Sequence, residues 1–173
     1  MFLTLLAVLV LCEAEPGQAS NSIEKGEQSD LCPDHWIDAT LSGLGCLYFN
    51  ISAQVDWLDA AELCQHPDNN ASLVEIWSEL QLDFVRSELI SLAENGIDTD
   101  WWTGATDLGR EGHWYWAGSL ATVGDFLWYK PTNQPNGGIA HNCMFLENGG
   151  SYEFYGNDFG CTKYPRVFIC QKK

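Results

Sequence analysis

The side chains of this chain whose types and spacing suit chemistry are oxygen donors in its C-terminal half. Gln134-Pro135-Asn136 and Asn157-Asp158 are short runs of amide and carboxylate oxygens. Such hard ligands are what calcium takes, about six to eight at a time. Catalysis has no comparable constellation. There is no His-Glu-x-x-His helix, no Gly-x-Ser-x-Gly elbow and no phosphate-cradling glycine loop. Asn148-Gly149-Gly150 is a turn signal, and the four histidines are scattered. The chain is therefore not expected to be an enzyme. Zinc is disfavoured too, because no two cysteines stand in C-x-x-C spacing.

The elements that must position these donors follow from composition and periodicity. At 173 residues there is room for one domain with a real core. Met1 to Leu11 is apolar, and small residues follow at Cys12, Ala14, Gly17 and Ala19. Residues 1–19 therefore read as a secretory signal peptide cut after Ala14 or Ala19. Later stretches fall short of the about 20 apolar residues that span a bilayer. The expectation is a secreted, extracellular protein without membrane insertion. Residues 20–31 are polar and read as a flexible leader. The folded domain then covers 32–173.

Seven cysteines become six once Cys12 leaves with the signal: Cys32, Cys46, Cys64, Cys143, Cys161 and Cys170. An even count in an oxidising compartment points to disulfides, while counting alone leaves the pairing open. The formal net charge of -16 repels nucleic acid and anionic lipid, which excludes both as partners. The carboxylate excess otherwise serves solubility.

Trp36-Ile37-Asp38 and Cys46-Leu47-Tyr48-Phe49 read as a hairpin with Gly43 and Gly45 in its turn. Val55 to Cys64 follows as a first helix, with Trp57, Ala60, Ala61 and Cys64 at helical spacing. Ser78 and Gln81 form a capping-box pattern, Leu82, Val85, Leu89 and Leu92 share one helical face, and Asn95-Gly96 supplies the stop. From Trp101 onward short aromatic segments punctuated by Gly, Pro and Asn predict strands and long loops, ending in the strand Val167–Cys170. The class is α+β. No internal repeat or coiled-coil segment stands out.

One series runs through the C-terminal half: Trp102-Thr103-Gly104-Ala105-Thr106-Asp107, Glu111-Gly112-His113-Trp114-Tyr115-Trp116, Trp128, Gln134-Pro135-Asn136, Cys143, Asn157-Asp158-Phe159-Gly160-Cys161 and Cys170. This series closely resembles the C-type lectin-like domain, and the resemblance spans about residues 32 to 171. It implies two helices with small antiparallel sheets and long loops. It also implies the disulfides Cys64–Cys170, Cys143–Cys161 and Cys32–Cys46, the last marking the family's longer form. Trp102, Trp114, Trp116 and Trp128 fall at core positions, whereas Trp101 is an extra aromatic expected to be exposed and available to a ligand. Ser72 to Ile76 resembles the buried strand before the second helix.

The resemblance also implies a sugar-binding calcium site. Its lectins hold the ion with a Glu-Pro-Asn or Gln-Pro-Asp triplet, a Glu just before the next cysteine and an Asn-Asp pair. Two sugar hydroxyls complete the sphere. The matching residues here are Gln134, Asn136, Asn157 and Asp158, but His141 stands where that Glu belongs. A histidine nitrogen is a poor ligand for a hard ion, so weak calcium affinity is expected. Glu147 lies near enough in sequence to substitute. The triplet is a hybrid of the mannose-type and galactose-type forms and assigns no sugar. A possible second metal site is carried by Asp107 and Glu111, with Gly137 and Asn142 where further carboxylates are common.

The leading expectation is a secreted calcium-dependent lectin binding surface glycans in pattern recognition, an innate-immunity role. The alternative is a calcium-independent lectin-like domain that binds a protein partner or a solid surface such as ice or mineral. Asp158→Ala is expected to abolish sugar binding under the first reading and to leave partner binding untouched under the second. Asn50-Ile51-Ser52 and Asn70-Ala71-Ser72 are N-glycosylation sequons.

Overall fold

The computed structural model describes residues 31–149 and 153–173. The signal peptide, and the leader up to residue 30, lie outside the described residues. Strand β1 (Ile37–Ala39) and the long β2 (Gly45–Val55) form the expected hairpin, paired through Ile37 and Leu47. Helix α1 (Trp57–Gln65) follows, then β3 (Ser72–Leu73) and α2 (Glu79–Glu94). The second half contributes β4 (Trp101–Thr106), β5 (Tyr115–Trp116), β6 (Cys143–Glu147), β7 (Tyr155–Phe159) and β8 (Arg166–Lys172).

Val55 is not helical, contrary to the sequence reading. It closes β2 opposite Arg166, where a β-branched side chain is at home. Asp56 stays extended, and its side chain accepts the Asp59 N–H at 3.3 Å, so the helix can only begin after it. At α2 the Ser78 hydroxyl accepts the Gln81 N–H at 3.3 Å. The Gln81 amide oxygen does not return to Ser78 but accepts the Trp77 N–H at 2.7 Å. Asn95 ends the helix, with Gly96 at φ 90°.

Small separate sheets were expected, but the strands join in one eight-stranded sheet of order β1-β2-β8-β4-β6-β7, with β3 on β8 and β5 on β4. Among the described strands the pairings are antiparallel except β4 with β8. Return of the C-terminal strand to the middle makes the sheet continuous and buries it on both faces. On β8, Val167 and Ile169 join the α2 side, while Phe168 and Cys170 join the α1 side. This is the two-residue alternation of a strand between two cores.

The same alternation corrects the expectation for Trp101. Both tryptophans of β4 are fully buried: Trp102 faces Phe145 at 5.9 Å, and Trp101 faces Phe49 at 5.7 Å, each edge to face. A central strand has no solvent side to give an extra aromatic. Trp114, Trp116 and Trp128 are buried as expected. Three disulfides, Cys32–Cys46, Cys64–Cys170 and Cys143–Cys161, match the implied pairing. Cys64–Cys170 ties α1 to β8.

Candidate functional site

The loop that bears Gln134 and Asn136 folds back on β7, which bears Asn157 and Asp158. Tyr129 N–H donates to the Gly156 carbonyl at 3.0 Å, and Trp128 forms a parallel bridge to Gly156. A side chain at Gly156 would meet the Leu127 carbonyl at 3.0 Å and Met144 sulfur at 3.1 Å. Glycine therefore permits this close approach. The Gln134–Pro135 peptide is cis.

Asp158 anchors the next stretch of loop. Its side chain is buried, one carboxylate oxygen accepting the Asn136 N–H at 2.9 Å and the other the Gly137 N–H at 2.7 Å. Charge-assisted bonds of this kind are about twice as strong as neutral ones. The His141 imidazole lies 4.0 Å from the same carboxylate and packs on Phe159 at 4.7 Å, tilted by 38°. It also fills the space a side chain at Gly137 would occupy, since an added Cβ there would overlap the His141 ring and its Cβ. The histidine and the glycine are thus a matched pair. Together they replace two positions where carboxylates were implied.

Glu147 enters the site by register. Asn157 pairs with Phe145 across β6 and β7, so Glu147, two residues on, is its diagonal neighbour on the same face. The Asn157 amide N–H donates to Glu147 Oε2 at 2.7 Å, leaving the amide oxygen for another partner. Gln134 Oε1 is buried and has no hydrogen-bond partner, whereas the Asn136 amide N–H donates to the Thr132 carbonyl at 2.8 Å. Successive strand residues point to opposite faces. Asn157 accordingly turns to Glu147 while Asp158 turns to the loop at Asn136 and Gly137.

Among the described residues no three acidic, His or Cys side chains cluster as a metal centre. Any ion here must add amide oxygens to at most two carboxylates. The donor set fits calcium on those terms: an unpaired Gln134 oxygen, the Asn157 oxygen, and the carboxylates of Asp158 and Glu147. Neutral donors predict modest affinity.

The second candidate pair is only half assembled. Asp107 is buried, with Oδ2 accepting the Gly112 N–H at 2.8 Å and Oδ1 unpartnered. Burial pushes its carboxyl above the ordinary range, against the pull of the Gly112 hydrogen bond, and the Asp158 charge adds to the rise. Glu111 is exposed, and the Asn142 amide N–H is committed to the Ile139 carbonyl at 3.2 Å. Of the sequons, Asn50 has its amide oxygen held by Ser52 N–H, Ser52 hydroxyl and Ala53 N–H. Asn70 is exposed on a turn.

A family model described as the lectin C-type domain matches residues 53–172. Lectin BRA-3 of Megabalanus rosa is 33% identical over 127 residues, covering 73% of this chain and 71% of that protein. Among solved structures, a mouse scavenger receptor C-type lectin carbohydrate-recognition domain aligns at TM-score 0.65 with 26% identity, covering 82% of this chain and 98% of that one. A Ca2+-dependent type II antifreeze protein in its Ca2+-free form aligns at TM-score 0.65 with 28% identity, covering 82% and 100%.

Proposed function

The chain belongs to the C-type lectin domain family, which is not a family of enzymes, and from that premise we propose that it is a secreted, calcium-dependent lectin that recognises surface glycans. One observation carries the reading: the buried, unpaired Gln134 oxygen stands in a loop fastened to Asp158. A buried acceptor without a partner is costly, and a cation would satisfy it. When bound, calcium would accept two vicinal sugar hydroxyls as ligands. The chain's own part is to hold Gln134, Asn157 and Asp158 as donors, with Glu147 supplying the second carboxylate in place of the one His141 displaces.

Pattern recognition of microbial glycans follows as the role of such a module. The solved mouse neighbour is itself named a carbohydrate-recognition domain. Among the described residues no helix is long and apolar enough to cross a membrane, in keeping with secretion. Asn70, exposed on its turn, is the sequon better placed for glycosylation.

A specific observation favours the second reading, a calcium-independent domain for a protein or a solid surface. Asp158 clamps the loop through backbone N–H groups alone, so the loop has its shape without a metal. The antifreeze neighbour shares the fold. Calcium titrated into chelator-stripped protein separates the two, because an ion that binds only the native state raises its melting temperature. A saturable rise at millimolar calcium supports the lectin. No rise removes the calcium mechanism.

A further inference from the structure

The chain contains three Asn–Gly pairs, Asn95–Gly96, Asn136–Gly137 and Asn148–Gly149. An asparagine before glycine is the pair most prone to lose its side-chain amide. Glycine brings no side chain to hinder its own backbone nitrogen as that nitrogen closes on the asparagine. Asn148 is 7% exposed, and its amide N–H donates to the Asp98 carboxylate. Asn95 ends α2, where the Gly96 N–H donates to the Ala93 carbonyl at 3.0 Å. Asn136 is exposed, and of the three it is the one in the candidate donor set.

Glycine at 137 is required by the loop. An added Cβ there would overlap His141, so the fit that shapes the loop also sets glycine directly after Asn136. Two hydrogen bonds then hold the reacting groups apart. The Gly137 N–H donates to Asp158 Oδ2 at 2.7 Å, and the Asn136 amide N–H donates to the Thr132 carbonyl at 2.8 Å. Asp158 is buried, and its other oxygen accepts the Asn136 N–H at 2.9 Å. Both peptide nitrogens of the pair thus hang on one carboxylate, through bonds of the strong, charge-assisted kind. The Gly137 nitrogen has to leave that carboxylate before it can turn onto the asparagine side chain.

We propose that Asn136 is a site of spontaneous deamidation and that Asp158 holds the reaction back. In the step, the Gly137 nitrogen bonds to Asn136 Cγ and gives up its proton, the Cγ–Nδ2 bond breaks, and ammonia leaves carrying that proton. Nothing is oxidised or reduced. Water from solvent then opens the five-membered imide. Opening between Cγ and nitrogen gives aspartate. Opening between the Asn136 backbone carbonyl and nitrogen gives isoaspartate, which lengthens the backbone by one carbon. Either product sets a carboxylate in the triplet where an amide stood. The chemistry does not rest on the lectin reading; only its effect on a bound cation does.

The test incubates the oxidised, folded, calcium-free protein at mildly alkaline pH beside the same chain reduced and denatured. Each Asn–Gly peptide is followed by mass after digestion, and Asn136→Gln assigns the signal. Asn136 is expected to convert at least about tenfold more slowly in the folded protein than in the denatured chain, the scale of one charge-assisted hydrogen bond. Asp158→Asn, which keeps the side-chain volume, is expected to remove most of that difference while Asn95 keeps its folded rate. Asp158→Ser, which also withdraws the carboxylate, is the second variant should the first not fold. Conversion of Asn136 in the folded parent at the denatured rate overturns the protective role of Asp158. A slow rate that persists in either folded variant also overturns it, as does an acceleration shared equally by Asn95, the mark of general loosening. No conversion of Asn136 even in the denatured chain overturns the modification site itself.

Discussion

Asp158 shows how one residue can be structural and functional at once, and this changes which substitution tests the site. Its carboxylate receives two backbone N–H groups from the loop, so Asp158→Ala leaves both unpaired and loosens the loop under either functional reading. A loss of binding in this variant therefore does not separate the two readings. Gln134→Ala is the cleaner probe, since Gln134 Oε1 gives up no hydrogen bond in the protein. It is expected to change the stability of calcium-free protein by no more than about 0.5 kcal/mol while abolishing the calcium-induced rise in melting temperature. A full rise in Gln134→Ala would remove this residue from the site. Asp107 makes a prediction about pH. Because burial raises its carboxyl in the folded state, the folded protein holds that proton more tightly than the unfolded chain. Stability therefore falls as pH rises from the ordinary carboxylate value, about 4, through the raised one. Calcium-free Asp107→Asn is expected to melt above the parent at pH about 7, with the gap closing toward pH about 4. A lower melting temperature for the variant at neutral pH would show that the Gly112 hydrogen bond outweighs burial.

At the scale of elements, motifs with local causes were legible and those set by distant pairing were not. The α2 cap at Ser78 and the stop at Asn95-Gly96 depend on neighbours in sequence, and both stand in the structure. Val55 was misassigned because its role is fixed by Arg166, which pairs with it across the sheet. Candidate donors could be matched by type, but Glu147 could be placed beside Asn157 only through the register of β6 on β7. The Gly137–His141 fit was likewise invisible, since it depends on how the loop closes. Trp101 is the sharpest case: beside Trp102 it breaks the apolar–polar alternation of a strand with one buried face, yet β4 lies between β8 and β6 with both faces covered. Trp101→Ala is expected to cost about 3–5 kcal/mol, the range for emptying a buried aromatic site, measured by chemical denaturation. Trp77, 40% exposed, serves as the control, and Trp77→Ala is expected to cost far less. Equal losses would contradict the burial of Trp101.

Across the whole molecule, the three disulfides divide stability from function. Cys64–Cys170 joins residues 106 apart in sequence, against 14 for Cys32–Cys46 and 18 for Cys143–Cys161. Closing a loop of about 100 residues restricts the unfolded chain by about 4.7 kcal/mol on the chain-entropy account, and one of about 15 residues by about 3 kcal/mol. Cys64 and Cys170 are also buried between α1 and β8, so removing their bond disturbs the packing that holds the helix to the sheet. Cys143 instead opens β6, and Cys161 stands just beyond β7 with Asn157 and Asp158. That bridge therefore braces the two strands that carry the donors. Paired Cys→Ala replacement at 64 and 170 is expected to give the largest loss of melting temperature, with the calcium response kept in whatever protein remains folded. The same replacement at 143 and 161 is expected to cost less stability but to weaken the calcium-induced rise. If the calcium response instead follows stability across all three variants, the donors are held by the fold as a whole, and the Cys143–Cys161 bridge has no separate part in presenting them.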